Sequence, residues 1–341
     1  MSEVVVTQYV IDIIVIAISF VFLNWTSNIV ISYALKVSAI SKLGKTSVGF
    51  TLISLSTTLP ELTVALIAAL EGGAPLSIGN VLGSNIFNIS VVLGLGIVIL
   101  TLTKIIKRTS SNANGTNLIL SFPQAQLGSL EFGLFISSII PLILIYVSTG
   151  AAWVVGLILL VIFFAYMYKL AKVRMPDEEE ATVEEDRSKL KRYIIYTIAG
   201  ALGIVISANF LVDSAINIAT TAGVSQQVIG ATIIAVGTSL PELTIGVKAI
   251  LKGHPNLALG NIIGASFFNT TLILGITFFV PALVGTPLDL NMNIFQNLVV
   301  FSIITNLFFW YFISRKELGW REGVMFLFMY VLFVITTISS L

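Results

Sequence analysis

The chain has 341 residues, of which 56% are apolar and only 10% are charged, and its mean hydropathy is +1.00. This hydropathy lies far above the range of soluble domains and excludes a water-soluble globular protein. The formal net charge is +1 and cysteine is absent, so we expect no nucleic-acid partner, no disulfide framework and no thiolate metal site.

Apolar runs separated by short polar stretches follow one another along the whole chain. A helix of about 20 apolar residues crosses a hydrocarbon core roughly 30 Å thick. The sequence therefore predicts an all-α polytopic membrane protein with ten transmembrane helices. The predicted spans lie near residues 9–35, 47–70, 76–103, 130–148, 152–173, 193–220, 227–250, 256–282, 292–314 and 322–340.

The 18 basic residues collect around alternate loops of this predicted arrangement. They fall within residues 36–45, 104–108, 169–192, 248–252 and 315–321, which adjoin the odd-numbered loops. Basic side chains are retained on the cytoplasmic side during insertion. The alternation predicts a multi-pass protein of the cell membrane with both termini outside, and it supports the count of ten spans.

Two pairs of motifs recur along the chain. Residues 49–70 read GFTLISLSTTLPELTVALIAAL and residues 230–251 read GATIIAVGTSLPELTIGVKAIL. Residues 79–94 read GNVLGSNIFNISVVLG and residues 260–275 read GNIIGASFFNTTLILG. Both pairs are separated by 181 positions (230 − 49 and 260 − 79), which indicates one duplicated unit.

The duplicated unit contains five predicted spans, an odd number, so its second copy enters the membrane from the opposite side. The sequence predicts two inverted five-helix repeats, residues 1–174 and 193–341, joined by an acidic cytoplasmic linker at residues 175–192. Inverted repeats place a substrate site near the membrane midplane and permit alternating access.

Two glutamates occupy equivalent positions in the repeated motifs, namely Glu61 in TTLPEL and Glu242 in TSLPEL. An ionised carboxylate within the hydrocarbon region is costly unless it is paired or bound to a metal ion. All lysines and arginines are predicted at loops or span ends. We therefore expect protons or bound cations to neutralise the two glutamates.

Each glutamate follows a proline, Pro60 or Pro241, and proline within a span interrupts the helical hydrogen bonding. The predicted breaks expose backbone carbonyls beside the carboxylates. A hard cation such as calcium takes about six to eight oxygen ligands, and the absence of cysteine and of intramembrane histidine disfavours soft metals. Hydroxyl-bearing residues surround the predicted breaks: Thr57, Thr58, Thr238 and Ser239.

The second motif pair adds neutral oxygen donors and glycines at spacing four. The glycine pairs are expected to form small-residue faces for close helix approach. The donors are Ser84, Asn85 and Asn88 in the first repeat and Ser266 and Asn269 in the second; the glycines are Gly79, Gly83, Gly260 and Gly264. Asp12 and Asp213 also lie in apolar runs but are not repeat-equivalent, so we expect structural roles for them. The acidic stretch 177–186 is expected to be a solvated linker.

At these motifs the sequence resembles the cation/calcium exchanger (CaCA) superfamily, and within it the prokaryotic sodium/calcium exchangers. The resemblance extends over nearly the whole chain, and it implies ion sites lined by the paired motifs at the membrane centre. It implies that Glu61 and Glu242 bind both calcium and sodium, and that Thr57 and Thr238 contribute carbonyl oxygens to the calcium site.

The resemblance also implies sodium sites towards each membrane face. Ser54, Thr58 and Ser84 would serve one site, Ala235, Ser239 and position 265 the other, with Asn88 and Asn269 bordering the middle. The chain departs from the family pattern at Ser56 and Thr58, which replace glycine and serine, and at Ala265, which replaces a serine. Asn269 stands where some prokaryotic relatives have aspartate.

The sequence therefore predicts a secondary transporter, not an enzyme, that exchanges calcium for sodium as a monomer without a cofactor. A calcium/proton or other cation/proton exchanger of the same fold remains an alternative. A cation channel with a glutamate ring is an alternative of another class, although inverted repeats favour alternating access. A membrane-embedded enzyme using both carboxylates would lack a neighbouring nucleophile or histidine.

Overall fold

The computed structural model describes residues 3–41, 44–71, 74–109, 120–121, 124–144, 151–172, 187–221, 235–285, 295–315 and 317–339. The predicted acidic linker segment 177–186 and the start of the second repeat motif, residues 230–234, lie outside the described residues. Within the first half the helices are α1 (Glu3–Ser41), α2 (Lys45–Val48), α3 (Ser54–Thr57), α4 (Leu59–Glu71), α5 (Ala74–Phe87), α6 (Gly94–Thr109), α7 (Gln124–Leu144) and α8 (Ala152–Lys172). Within the second half they are α9 (Leu190–Thr221), α10 (Ala235–Thr238), α11 (Leu240–Leu251), α12 (Pro255–Phe268), α13 (Leu274–Val284), α14 (Gln296–Ser314) and α15 (Trp320–Ser339).

Helices occur in each of the ten segments predicted to span the membrane. Among the described residues, seven continuous helical segments are long and apolar enough to cross a bilayer, and an eighth consists of Lys45–Thr57 and Leu59–Leu70, bent by 49°. The other two predicted spans are helical over Gln124–Leu144 and Leu240–Leu251 where the structure describes them. A polytopic helical membrane fold is therefore confirmed, while the count of ten spans and the division into two repeats stay predictions.

Among the described residues, three π-helical segments interrupt the spans: π1 (Gly49–Ile53), π2 (Asn88–Leu93) and π3 (Asn269–Ile273). The segments π2 and π3 begin at asparagines separated by 181 positions, the offset of the sequence repeat. Short π-helical turns inside α-helices are rare and concentrate at functional sites. Their equivalent placement makes Asn88 and Asn269 candidates for a functional site on the grounds of backbone structure alone.

A two-residue strand pair is the β structure found among the described residues. The strand β1 (Leu120–Ser121) pairs antiparallel with β2 (Glu317–Leu318). These residues lie in the loops after the third and ninth predicted spans. The pairing joins two loops that the distribution of basic residues assigns to the same side of the membrane.

The long helices α1 and α9 pack closely against each other. A Cβ atom added at Gly200 would lie 2.9 Å from Val30 Cγ2, and one added at Gly203 would lie 2.8 Å from Thr26 Cγ2. The hydrophobic effect does not attract helices to each other in lipid. Close approach of their backbones at small residues is therefore a main source of helix association there. Glycine at both positions therefore permits this helix pair.

An aromatic cluster fastens π1 to α8 and α12. Tyr166 lies 5.6 Å from Phe50 and 4.7 Å from Phe267 between ring centroids, and Phe163 lies 5.1 Å from Phe268 with the rings at 75°. Edge-to-face aromatic pairs contribute beyond the area they bury. The cluster holds the segment that leads to the first helix break against the segment that leads to Asn269.

Candidate cation-binding site

The two LPE motifs form equivalent helix breaks. Thr58 has φ −82° and ψ 8°, and Ser239 has φ −94° and ψ 6°, values outside the α-helical region. New helices begin at the next residue, so that Pro60 and Pro241 occupy the second helical position. Proline is tolerated there because the first turn has no intrahelical partner for its N–H group. Each proline therefore lies at the start of the second helix of its pair, two residues after the break at Thr58 or Ser239. The sequence had predicted a helix break beside each proline.

The same geometry places each glutamate in the first turn of a helix. A negative charge is stabilised there by the unsatisfied N–H groups and by the helix dipole. Glu61 and Glu242 are both completely buried, and the two carboxylates lie close enough to repel each other. A cation between them would relieve this repulsion.

The hydrogen bonding of the two carboxylates is incomplete and unequal. Ser84 Oγ donates to Glu61 Oε1 at 3.4 Å, whereas Glu61 Oε2 and both carboxylate oxygens of Glu242 have no hydrogen-bond partner. Ala265 stands at the position equivalent to Ser84 and is fully buried, but it has no hydroxyl to offer Glu242. The first repeat thus supplies a hydroxyl to its glutamate that the second repeat lacks.

Further polar groups from both repeats surround the carboxylates. Ser239 Oγ donates to Ser84 Oγ at 3.0 Å, and Asn269 Nδ2 donates to Asn85 Oδ1 at 3.0 Å, both across the repeats. Buried polar atoms normally have partners, so orphaned ones require an explanation such as an ion, a ligand or a water. The orphaned atoms here include both side-chain polar atoms of Asn88, Ser266 Oγ and Asn269 Oδ1.

Two threonine–asparagine hydrogen bonds flank this arrangement. Thr57 Oγ1 donates to Asn261 Oδ1 at 3.4 Å, and Thr238 Oγ1 donates to Asn80 Oδ1 at 3.1 Å. Each bond joins an LPE motif to the GN motif of the other repeat. Sequence reasoning did not single out Asn80 and Asn261, although both follow the first glycine of their motifs and are separated by 181 positions.

The two flanks are equivalent in sequence but not in packing. Thr57 and Asn261 are completely buried, whereas Thr238 and Asn80 are only half-buried. A Cβ at Gly264 would lie 2.5 Å from Ser54 Oγ, while one at the equivalent Gly83 would meet no described atom within 4 Å. The site is therefore closed on the flank of α12 and more open on the flank of α5, which the predicted topology places outside. The expected glycine packing face is present in the second repeat at Gly264 but not at Gly83.

The remaining predicted ligands are Ser54 and Thr58 at the first break and Ala235 before the second. Ser54 Oγ donates to the carbonyl of Phe50, and Thr58 Oγ1 donates to the carbonyl of Ser54 at 2.8 Å. Both hydroxyl groups thus bond to their own chain segment, and both side chains are buried. Ala235 begins α10, three residues before Thr238.

The two other acids of the apolar runs do not join this site. Asp12 accepts hydrogen bonds from Gln8 Nε2 at 3.2 Å and from Asn217 Nδ2 at 3.4 Å, and so links α1 to α9. Asp213 is exposed. The contacts of Asp12 fit a structural role, and the structural role of Asp213 stays a prediction.

The donor set suits a hard cation held by oxygen. Among the described residues no three histidine, cysteine or acidic side chains come together as they would in a resident transition-metal centre. Two carboxylates with neutral hydroxyl, amide and carbonyl oxygens match the ligands of calcium and sodium. No lysine or arginine in the described parts bonds to either carboxylate.

A polytopic helical membrane protein with two carboxylates buried at equivalent helix breaks is an ion-transport protein. The family model described as "Sodium/calcium exchanger protein" matches residues 11–171 and 192–339. The chain belongs to this family.

Named relatives and a solved structure are similar to the chain over most of its length. The chain is 26% identical to the sodium/calcium exchanger MaX1 of Methanosarcina acetivorans, over 95% of this chain and 98% of that protein. It is 29% identical to the inner membrane protein YrbG of Escherichia coli K12, over 72% and 70%. Its fold is similar to that of the sodium-calcium exchanger NCX_Mj soaked with sodium, with a TM-score of 0.77 and 22% identity over 95% of this chain and 98% of that one.

Proposed function

We propose that this protein is a secondary antiporter that exchanges calcium for sodium by alternating access. In this proposal it lies in the cell membrane with both termini outside. The observation that carries the proposal is the pair of fully buried carboxylates, Glu61 and Glu242, which stand at equivalent helix breaks and, among the described residues, have no bond to a cationic side chain. Charges of this kind within a membrane are stable only with a bound cation or proton. The family of the chain supports the same function.

In this proposal Glu61 and Glu242 bind the calcium ion together with the carbonyls of Thr57 and Thr238. The sodium ions use the same carboxylates and the neutral oxygens around them. Calcium and sodium then compete for one set of ligands, so that release of one ion accompanies binding of the other. The sodium ligands proposed are Ser54, Thr58, Ser84, Asn88, Ala235, Ser239 and Asn269.

Closure of one flank and opening of the other fit alternating access. The half-buried Thr238–Asn80 bond marks the open flank, and the fully buried Thr57–Asn261 bond marks the closed one. Inverted repeats can exchange these two arrangements, because each flank can adopt the packing of the other. A channel would need both flanks open at once.

The test is calcium uptake into proteoliposomes loaded with sodium or with choline. An outward sodium gradient should drive uptake, and Glu61→Gln and Glu242→Gln should each abolish it, since an amide cannot balance the charge of a divalent ion. Asp213→Asn, which alters an exposed acid outside the site, serves as the matched control and should transport normally. Uptake that survives both glutamine substitutions would refute the site.

Calcium/proton exchange is the second candidate, and one observation favours it. Ala265 leaves Glu242 without the hydroxyl that Ser84 gives Glu61, so one sodium position has fewer oxygen ligands. A carboxylate that binds sodium weakly can carry a proton instead. Uptake driven by an imposed pH gradient and indifferent to sodium would establish this alternative.

A further inference from the structure

A cluster of aromatic and basic side chains joins α1 and α9 at the end of the pair that is predicted to face the cytoplasm. We call the side chains of Tyr33, Lys36, Arg192, Tyr193 and Tyr196 the basic–aromatic cluster. Tyr33 lies 4.8 Å from Tyr196 and 5.5 Å from Tyr193 between ring centroids. The three rings form a continuous platform across the helix pair.

Both cations of the cluster rest on this platform rather than on carboxylates. Lys36 Nζ lies 5.3 Å from the ring of Tyr33 and 5.1 Å from the ring of Tyr193. Arg192 Cζ lies 5.2 Å from the ring of Tyr196, and Arg192 Nε donates to the hydroxyl of Tyr196 at 2.8 Å. A cation over an aromatic ring is held in place but keeps its full charge and its other N–H donors.

Neighbouring lysines add further positive charge to the basic–aromatic cluster, and no carboxylate of the described residues contacts its two cations. Lys189 lies just before α9 and Lys191 lies in its first turn, next to Arg192 in sequence, and both are exposed. Within the described parts of the chain, no carboxylate forms a contact with Lys36 or Arg192; their contacts are with tyrosine. Lys189, Lys191 and Arg192 lie within four residues of chain, and Lys36 of α1 lies over Tyr193, so this end of the helix pair concentrates positive charge that attracts anions.

The adjoining face of α9 indicates an anion that carries an apolar chain. Ile195, Ile198 and Leu202 are 53%, 38% and 40% exposed, and they follow Arg192 at spacings of three and four. Residues at these spacings form one stripe along a helix. From Arg192 to Leu202 the stripe rises about 15 Å, at 1.5 Å per residue. This length is about half of a hydrocarbon core roughly 30 Å thick, which is the depth of one leaflet.

We propose that the basic–aromatic cluster binds the phosphate headgroup of an anionic phospholipid whose acyl chain lies along Ile195, Ile198 and Leu202. The cations contribute the charge, and the tyrosines lie where aromatic side chains concentrate at the membrane interface. A free phosphate would use the cluster but not the apolar stripe. Because the cluster spans both helices, the bound lipid stabilises the α1–α9 pair in its present arrangement.

The test is native mass spectrometry of the purified full-length chain in neutral detergent, titrated with phosphatidylglycerol. The double variant Lys36→Gln, Arg192→Gln should bind the lipid about 25-fold more weakly, from roughly five-fold for each cation near a membrane surface. The matched control is Arg315→Gln, Arg321→Gln, which removes two cations that also lie over aromatic rings, at 5.0 and 5.8 Å. This control should bind the lipid as the wild type does.

Two further measurements separate the sources of the anion. Glycerol phosphate, which has the headgroup but no acyl chain, should fail to displace the lipid at equal concentration. The double variant Ile195→Ser, Leu202→Ser should weaken lipid binding although all cations remain. If the Lys36, Arg192 double variant unfolds, Arg192→Gln alone replaces it. This single substitution alters an exposed side chain and should lower lipid binding about five-fold.

Equal lipid binding by wild type and the Lys36, Arg192 variant would overturn the proposal, as would an equal loss in the Arg315, Arg321 control. Displacement by glycerol phosphate at equal concentration would overturn it in favour of a free anion. If the cluster variant leaves lipid binding unchanged but increases proteolysis of the acidic segment 177–186, the partner is that segment and not a lipid.

Discussion

The unequal hydroxyl supply of the two glutamates leads to a paired prediction at Ser84 and Ala265. Ser84 Oγ lies 3.4 Å from Glu61 Oε1, beyond the usual range for O–H···O bonds. A hydrogen bond to a charged group is worth about 1.5 to 3 kcal/mol, and this distance places the bond at the lower end. About 1.5 kcal/mol corresponds to roughly a ten-fold change in affinity for an ion that uses the hydroxyl.

The substitutions are Ser84→Ala, which removes the hydroxyl, and Ala265→Ser, which supplies its counterpart beside Glu242. In proteoliposomes the sodium concentration that gives half-maximal calcium uptake should rise about ten-fold for Ser84→Ala and fall by a similar factor for Ala265→Ser. The steepness of the sodium dependence should increase for Ala265→Ser, because an additional sodium ion is then bound in each cycle.

The matched control is Ser77→Ala on the same helix. Ser77 Oγ lies 2.6 Å from Thr277 Oγ1, is fully buried and has no hydrogen bond to Glu61 or Glu242. Its loss should lower thermal stability by about 1 kcal/mol without shifting the sodium curve. An unchanged sodium curve in Ala265→Ser, together with a shifted one in Ser84→Ala, would show that position 265 does not face an ion. A shift in the Ser77 control would refute the assignment of the effect to ion ligands.

Two further substitutions test the packing around the site. Gly264→Ala should lower the melting temperature of the purified protein by an amount equivalent to about 1 to 3 kcal/mol, because its Cβ would lie 2.5 Å from Ser54 Oγ. The control Gly83→Ala should melt as the wild type does. Equal melting temperatures of the two variants would contradict the asymmetry of the flanks. Lys248→Met should lower the free energy of unfolding by about 2 kcal/mol, because Lys248 Nζ donates to Asn24 Oδ1 at 2.6 Å and so connects α11 to α1. A melting temperature within a degree of the wild type would show that this contact does not stabilise the helix pair.

The membrane fold and the two acidic positions were predictable from local sequence. Long apolar runs can satisfy their backbone polar groups in lipid only as helices, so hydropathy alone located the helices. Glu61 and Glu242 stood out because charge within an apolar run is costly and because one offset relates the two motifs. The helix breaks beside Pro60 and Pro241 followed from the chemistry of proline.

The relations between the repeats were decided only by tertiary structure. Two motifs with matching residues predict equal environments, yet Thr57 is fully buried and Thr238 half-buried, because one flank is packed shut and the other is not. The bonds from these threonines to Asn261 and Asn80 cross between repeats, over 204 and 158 positions of chain. Contacts over such separations depend on how helices are arranged in the bilayer.

Lys248 shows the same division between local and tertiary information. The sequence placed it at the end of a span, and it does lie in the last turn of α11. Its ammonium group, however, donates to Asn24 and Ser27 of α1, more than 220 positions away. Hydropathy and charge patterns determine which segments are helical and which groups are costly to bury. The close packing of glycine faces and aromatic rings determines which of these groups meet, and that packing depends on the shapes of all the helices together.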